Sequence, residues 1–204
     1  MKRMSIIFSL VLAFIIPSAT YAAPQVNKVI KNLKGKYFVV GTRSCVQATA
    51  GGEFGAPPEY QLNSTGTTRV YQVTSELELY GNGTGFASVK QLAIYNVDLS
   101  LSGKYPVSSY TGTCDVVYSG NADGSLTFTF WNCNGEVTSG FQVGYLGGQG
   151  EFTEPARVSE DGGTLLFSVV EPGVETTWVE DPASHVRTEY KRICGRIGTG
   201  VKLK

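Results

Sequence analysis

Polar and apolar residues alternate most cleanly between Arg69 and Tyr80. Tyr71, Val73, Leu77 and Leu79 share one face of an extended chain there, and Gln72, Thr74, Glu76 and Glu78 share the other. Period two over that length predicts a β-strand with one buried and one solvated face. The same reading of 111–135, TGTCDVVYSGNADGSLTFTFWNCNG, predicts a hairpin around Asp123-Gly124. Gly, and to a lesser extent Asp, tolerates the positive φ of a two-residue type I′ turn. With those two residues as the loop, Ala122 faces Ser125, and counting outward along both arms sets Cys114 opposite Cys133. Val117, Leu126, Phe128 and Phe130 then share one face, the better core candidate. Cys114, Val116, Tyr118, Thr127, Thr129, Trp131 and Cys133 share the other.

The rest of the chain carries the same rhythm, with one exception. Val26, Val29, Ile30 and Leu33 recur at i, i+3, i+4 and i+7, which predicts a two-turn helix ended by Gly35. Strands are predicted at 36–46, 69–80, 86–101 (one or two), 137–146, 164–170, 176–180 and 185–196, besides the hairpin. Gly140 and Gly144 suggest a bend or bulge within their strand. The segment 48–68, dense in Gly, Pro, Ser and Thr, reads as a long surface loop, 147–154 as a glycine-rich loop, and the residues after 196 as a basic tail. Eight or nine short strands joined by hairpin-length turns predict an all-β fold, a barrel or a sandwich. The meander-like connections and the glycines within strands favour a single antiparallel up-and-down β-barrel of about eight strands with a short N-terminal helix, over a β-sandwich.

Composition adds a compartment. Residues 1–22 combine basic Lys2 and Arg3, an apolar run from Ile6 to Ile16 and small residues beyond, the layout of a secretory signal peptide; 23–204 then form one β-barrel domain. All four cysteines lie in the exported part, where an even count favours two disulfides. The hairpin pairs Cys114 with Cys133 and leaves Cys45 with Cys194, a bridge from the first strand to the last that also favours closure. No Cys-x-x-Cys pair is present, so zinc is not expected. The chain has 17 basic and 17 acidic residues, and loss of Lys2 and Arg3 leaves it slightly acidic. Nothing in that balance attracts nucleic acid or anionic lipid. Glu76, Glu78, Lys90 and Arg187 interrupt the strands, which argues against membrane insertion of the mature chain. The location expected is periplasmic or secreted.

Catalytic motifs are sparse. His185 is the single histidine; Ser184 and Asp181 lie near it, but no Gly-x-Ser-x-Gly elbow is present. A strand-end role is the simpler expectation, with axial ligation of haem a slimmer one. Glu76 and Glu78 have a spacing not far from that of a glycosidase pair, but an outer strand face explains them with less effort. Gly81 to Gly85 lacks the Lys-Ser/Thr ending of a phosphate loop and reads as a turn. No cofactor is implied. The many tyrosines suit either a binding pocket or the ordinary filling of a sheet.

The short helix followed by Gly35-Lys36-Tyr37 resembles the start of a lipocalin or related calycin, with Tyr in the place of the expected Trp. The resemblance implies an eight-stranded cup around an apolar ligand site, no catalytic residue, and a basic residue from the last strand, Arg192 or Arg196, packed against Tyr37. Tyr37, Tyr71, Val73, Phe128 and Phe130 are the candidate ligand-binding residues. The function expected is binding of a small apolar or amphipathic molecule without catalysis. The alternatives are a barrel-type isomerase or cyclase, and a partner-binding or inhibitory module acting through 48–68.

Overall fold

One antiparallel sheet closes on itself around a core that is apolar at one end and polar toward the other. The computed structural model describes residues 23–57, 59–96, 107–121, 123–140, 142–169 and 173–204. The expected signal peptide, Ala122 and the predicted strand residues 97–101 lie outside them. After helix α1 (Ala23–Asn32) come β1 (Gly35–Ala48), β2 (Gly66–Leu79), β3 (Thr84–Asn96), β4 (Val107–Gly120) and β5 (Ser125–Gly140). They are followed by β6 (Leu146–Gln149), β7 (Phe152–Val158), β8 (Thr164–Val169), β9 (Val174–Glu180) and β10 (Arg187–Lys202). Consecutive strands from β1 to β5 pair with each other; β6 and β7 both pair with β5, and β8 and β9 both pair with β10. Each of those short pairs therefore makes one interrupted stave, and pairing of β1 with β10 closes a barrel of eight staves.

Closure corrects the expected C-terminus. The supposed basic tail is the second half of β10, running opposite β1 from Gln47↔Arg192 to Tyr37↔Lys202. Cys45 and Cys194 are directly opposed on that seam and joined by a disulfide, with Cα atoms 4.1 Å apart. The bridge spans 149 residues, and in the chain-entropy view a loop of that length is worth about 5 kcal/mol.

The Cys114–Cys133 disulfide also forms, by a route different from the predicted hairpin. Gly120 pairs with Leu126 and the Asn121 N–H donates to the Ser125 carbonyl, so the loop is one residue longer than a two-residue turn, with Gly124 at φ 79°. That slip alone would put Cys114 out of register. Between Thr113 and Asp115, however, β5 has a bulge in which Asn132 takes φ 49°, and the register moves back by one. Asn is among the few non-glycine residues that adopt this conformation readily. Because a one-residue slip turns side chains to the other face, the predicted sorting is corrected as well. Val116 and Tyr118 face inward with Leu126, Phe128 and Phe130, while Val117 is exposed.

Other boundaries shift for similar reasons. Residues 137–140 continue β5, with the expected irregularity present as a register shift opposite Ser109 and Tyr110; Gly140 ends that strand and Gly144 lies in the hairpin into β6, both at φ 85°. The predicted loop at 147–154 is largely strand, because β6 and β7 find partners in β5, β9 and β8 that local composition does not announce. Of the loop expected at 48–68, the described residues 49–57 and 59–65 are irregular, held by a Phe54↔Leu62 bridge and by Asn63, whose side-chain oxygen accepts from Glu53 N–H, while Ala48 and 66–68 belong to β1 and β2.

One end of the barrel is a packed apolar plug. Leu33, Tyr37, Leu77, Leu79, Val116, Phe128 and Leu165 are all fully buried there, with Val29 and Ile30 of α1 laid across them. Phe128 packs on Tyr118, Phe130 and Phe167 at ring separations between 5.3 and 6.3 Å. The Tyr37 hydroxyl donates to the Gly162 carbonyl at 2.7 Å. The basic residue over its ring is Lys202, not Arg192 or Arg196, with the ammonium 5.7 Å from the ring centroid. Gly35 makes room for it: a Cβ there would lie 2.8 Å from Lys202 Cε.

Candidate functional site

Above the plug the interior changes character. A cavity of about 180 Å³ is lined on its lower wall by Val39, Val73, Leu77, Val89, Phe130 and Phe167, and above by Arg43, Arg69, Arg192 and Arg196 with Tyr71, Tyr95 and Tyr110. These side chains meet because inward positions recur every second residue on each stave and the pairing stacks them in rows. Arg196, Arg43 and Tyr71 are successive partners across β10, β1 and β2, and Cys194, Cys45, Arg69 and Tyr95 across β10, β1, β2 and β3.

Arg43 and Arg196 are therefore directly opposed like charges, an arrangement that costs energy unless carboxylates intervene. Two do. Glu154 of β7 lies 3.7 Å from Arg43 and 3.2 Å from Arg196 Nε, and Glu175 of β9 pairs with Arg196 and, at 3.3 Å, with Arg192. Gln149 of β6 joins the ends: its oxygen accepts from Arg43 at 3.2 Å and from Arg192 at 2.5 Å, and its amide donates to Glu175 at 2.7 Å. Two guanidinium groups approach the Phe152 ring, that of Arg43 at 5.6 Å and that of Arg196 at 4.9 Å from its centroid.

The network does not neutralise the site. Among the described residues, four arginines share two glutamates, and Arg69 has no ion pair to a carboxylate. Arg69 stacks at 4.4 Å on Tyr95, its direct partner across β2 and β3, and its charge acts on the Tyr71 phenol two residues along the same inner face. The Nε atoms of Arg43 and Arg69 are buried without a hydrogen-bond partner. Burial, then Arg196 and Arg192, pull Arg43 down to about 9, against Glu154 and Glu175; at that value it is still charged at neutral pH. Burial by itself would raise the Tyr71 phenol, but Arg192, Arg69 and Arg43 outweigh it and hold the group below its ordinary value. Tyr110, farther from this positive field, is pushed up to about 12 by burial, with Arg192 opposing. Its hydroxyl donates to the Gly147 carbonyl at 3.2 Å.

Of the residues expected to bind a ligand, Tyr71, Val73 and Phe130 line the cavity, whereas Tyr37 and Phe128 sit in the plug and do not. Arg43, Arg69, Glu154, Glu175 and Gln149 were not anticipated, and Arg192 and Arg196, expected against Tyr37, line the cavity instead. The signal was parity: Arg43 and Arg69 fall on the same alternate positions as Tyr37, Cys45, Tyr71 and Val73, where a charge has no ordinary reason to be. His185 lies on the turn before β10 with its side chain 79% exposed, 3.6 Å from Glu180. The Asp181 carboxylate near it accepts from Tyr145, so the three neighbours Asp181, Ser184 and His185 form no catalytic relay. Glu76 is exposed, and Glu78 pairs at 3.8 Å with Lys36 on the outer face. Among the described residues no cluster of His, Cys, Asp and Glu has the geometry of a metal site, and no helix is long and apolar enough to cross a membrane.

No family model matches the chain, and no curated protein does either. Among solved structures, the barrel is similar to the outer membrane protein OprG from Pseudomonas aeruginosa at 9% identity and a TM-score of 0.36, over 83% of this chain and 96% of that one.

Proposed function

We propose that this is an exported binding protein that holds one small amphipathic molecule inside its barrel and performs no chemistry on it. The observation that carries the reading is the division of the interior. A plugged apolar floor and a polar, tyrosine-rich upper wall enclose a cavity, whereas a barrel built only for stability would be filled along its length. Eight staves leave room for one small ligand of this kind. Two disulfides suit an oxidising compartment, periplasmic or extracellular. The helix laid across the plug, with Lys202 over Tyr37, is also what a calycin-like cup would have at its closed end.

A second reading, a barrel-type isomerase, draws on Tyr71, whose lowered phenol inside a cavity is suited to proton transfer. Among the described residues, no carboxylate or imidazole hydrogen-bonds that hydroxyl. Native mass spectrometry of protein purified from its own host tests the binding reading. One small molecule per chain is expected. A bare chain mass that persists after incubation with both 1-octanol and octanoate overturns it.

A further inference from the structure

We infer that the ligand carries an anionic head, a carboxylate or a phosphate, held by Arg69, Arg43 and Arg192 around the Tyr71 hydroxyl, with its apolar part lying down toward Val73, Val89 and Phe130. The inference rests on the binding reading above and adds the chemical class.

It starts from charge. A buried cation loses much of its hydration, and the fold recovers that loss only where a carboxylate faces it in good geometry. Glu154 and Glu175 serve Arg43, Arg192 and Arg196, leaving the interior with two more positive than negative charges among the described residues. Arg69 is the clearest surplus. It is on the inner face of β2, stacks on Tyr95, and has no ion pair. The Nε groups of Arg43 and Arg69 are unspent donors.

These groups converge on one point. Arg192 lies 5.7 Å from the ring centroid of Tyr71, Arg69 is two residues along the same inner face of β2, and Arg43 is the direct partner of Tyr71 across the β1 and β2 pairing. Guanidinium forks and a phenol hydroxyl recognise an oxyanion by charge-assisted hydrogen bonds, and both kinds of donor are already held in place by stacking and pairing. The lower wall offers no charged group: Val39, Val73, Leu77, Val89, Phe130 and Phe167 face the cavity there, with only the neutral Ser75 and Gln91 among them. A molecule with one charged end and one apolar end thus has a single favourable orientation, head beside the arginines and tail against the plug.

The test is calorimetric titration of the full mature chain with octanoate, 1-octanol and inorganic phosphate, repeated on Arg69→Gln and Arg69→Lys. Removing Arg69 leaves no carboxylate unpaired, so Arg69→Gln is expected to fold. Octanoate should bind the wild type about tenfold or more tightly than 1-octanol, a charge-assisted contact being worth at least that ratio. Arg69→Gln should weaken octanoate more than 1-octanol and so narrow the difference, and Arg69→Lys should restore part of it. Equal affinity for the two amphiphiles in the wild type overturns the anionic head and leaves the binding reading standing. Phosphate binding as tightly as octanoate upholds the anion site and overturns the amphiphile. Binding of none of the three removes both.

Discussion

The Lys202 ammonium lies over the Tyr37 ring and donates to the Asn32 carbonyl at 3.0 Å, so the last strand fastens the end of the helix to the floor of the barrel. Asn32 ends α1, where carbonyls lack partners within the helix and favour a cation. Lys202→Met keeps the stem and removes the charge. It is expected to cost about 1 to 2 kcal/mol in urea denaturation, from one hydrogen bond and one cation–π contact. An unchanged midpoint would mean that the helix is held by its apolar face alone.

Asn132 marks the second place where a single residue decides geometry. Its φ of 49° allows the bulge that sets Cys133 opposite Cys114, and its amide donates to Asp115 at 3.1 Å. Asn132→Gly should be nearly neutral. Asn132→Val, β-branched in a left-handed conformation, should cost about 1 to 2 kcal/mol. Equal stability of the two variants, read from thermal melts of the oxidised protein, would contradict this account of the bulge.

Within the arginine network, Glu175→Gln leaves Arg192 and Arg196 buried with one carboxylate fewer. The expected loss is about 3 kcal/mol, in the range for breaking one side of a buried pair. Arg69→Gln, by contrast, removes a cation that has no ion pair and loses only its stacking on Tyr95, so it should lower the unfolding midpoint far less. If both variants shift stability alike, the charge imbalance has no energetic consequence.

Alkaline pH probes the buried phenols. Tyr37 and Tyr110 are both pushed up to about 12, Tyr37 by burial first and then by the charges of Tyr118 and Asp161. Below pH 10 these groups are neutral whether the chain is folded or not, and their contribution is intact. Between about 10 and 12 the unfolded chain releases protons that the fold retains, so stability should fall by about 1.4 kcal/mol per pH unit for each group. Tyr71, held low by the arginines, acts in the opposite sense. Denaturation series from pH 9 to 12 should show a shallower decline for Tyr110→Phe than for the wild type; identical slopes would exclude Tyr110 as a contributor.

Alternation within single segments was enough to determine much of this molecule. Tyr71, Val73, Leu77 and Leu79 face inward as the period of two requires, and the stripe of Val29, Ile30 and Leu33 lies on the core as a helix would place it. Both disulfide pairings were legible, although Cys114 meets Cys133 because a loop one residue longer and a bulge one residue wide cancel. Each of those is a backbone conformation of one residue, and residue type alone does not announce it. The site was less legible still. Gln149, Glu154 and Glu175 lie on three short strands, far along the chain from Arg43 and Arg69, and only the pairing of those strands with β5 and β10 brings their side chains into one interior. Local pattern dictates which face of a strand is buried. What lies across the barrel from it depends on register and closure, which the whole chain settles at once, and so the charge left over inside appeared only in three dimensions.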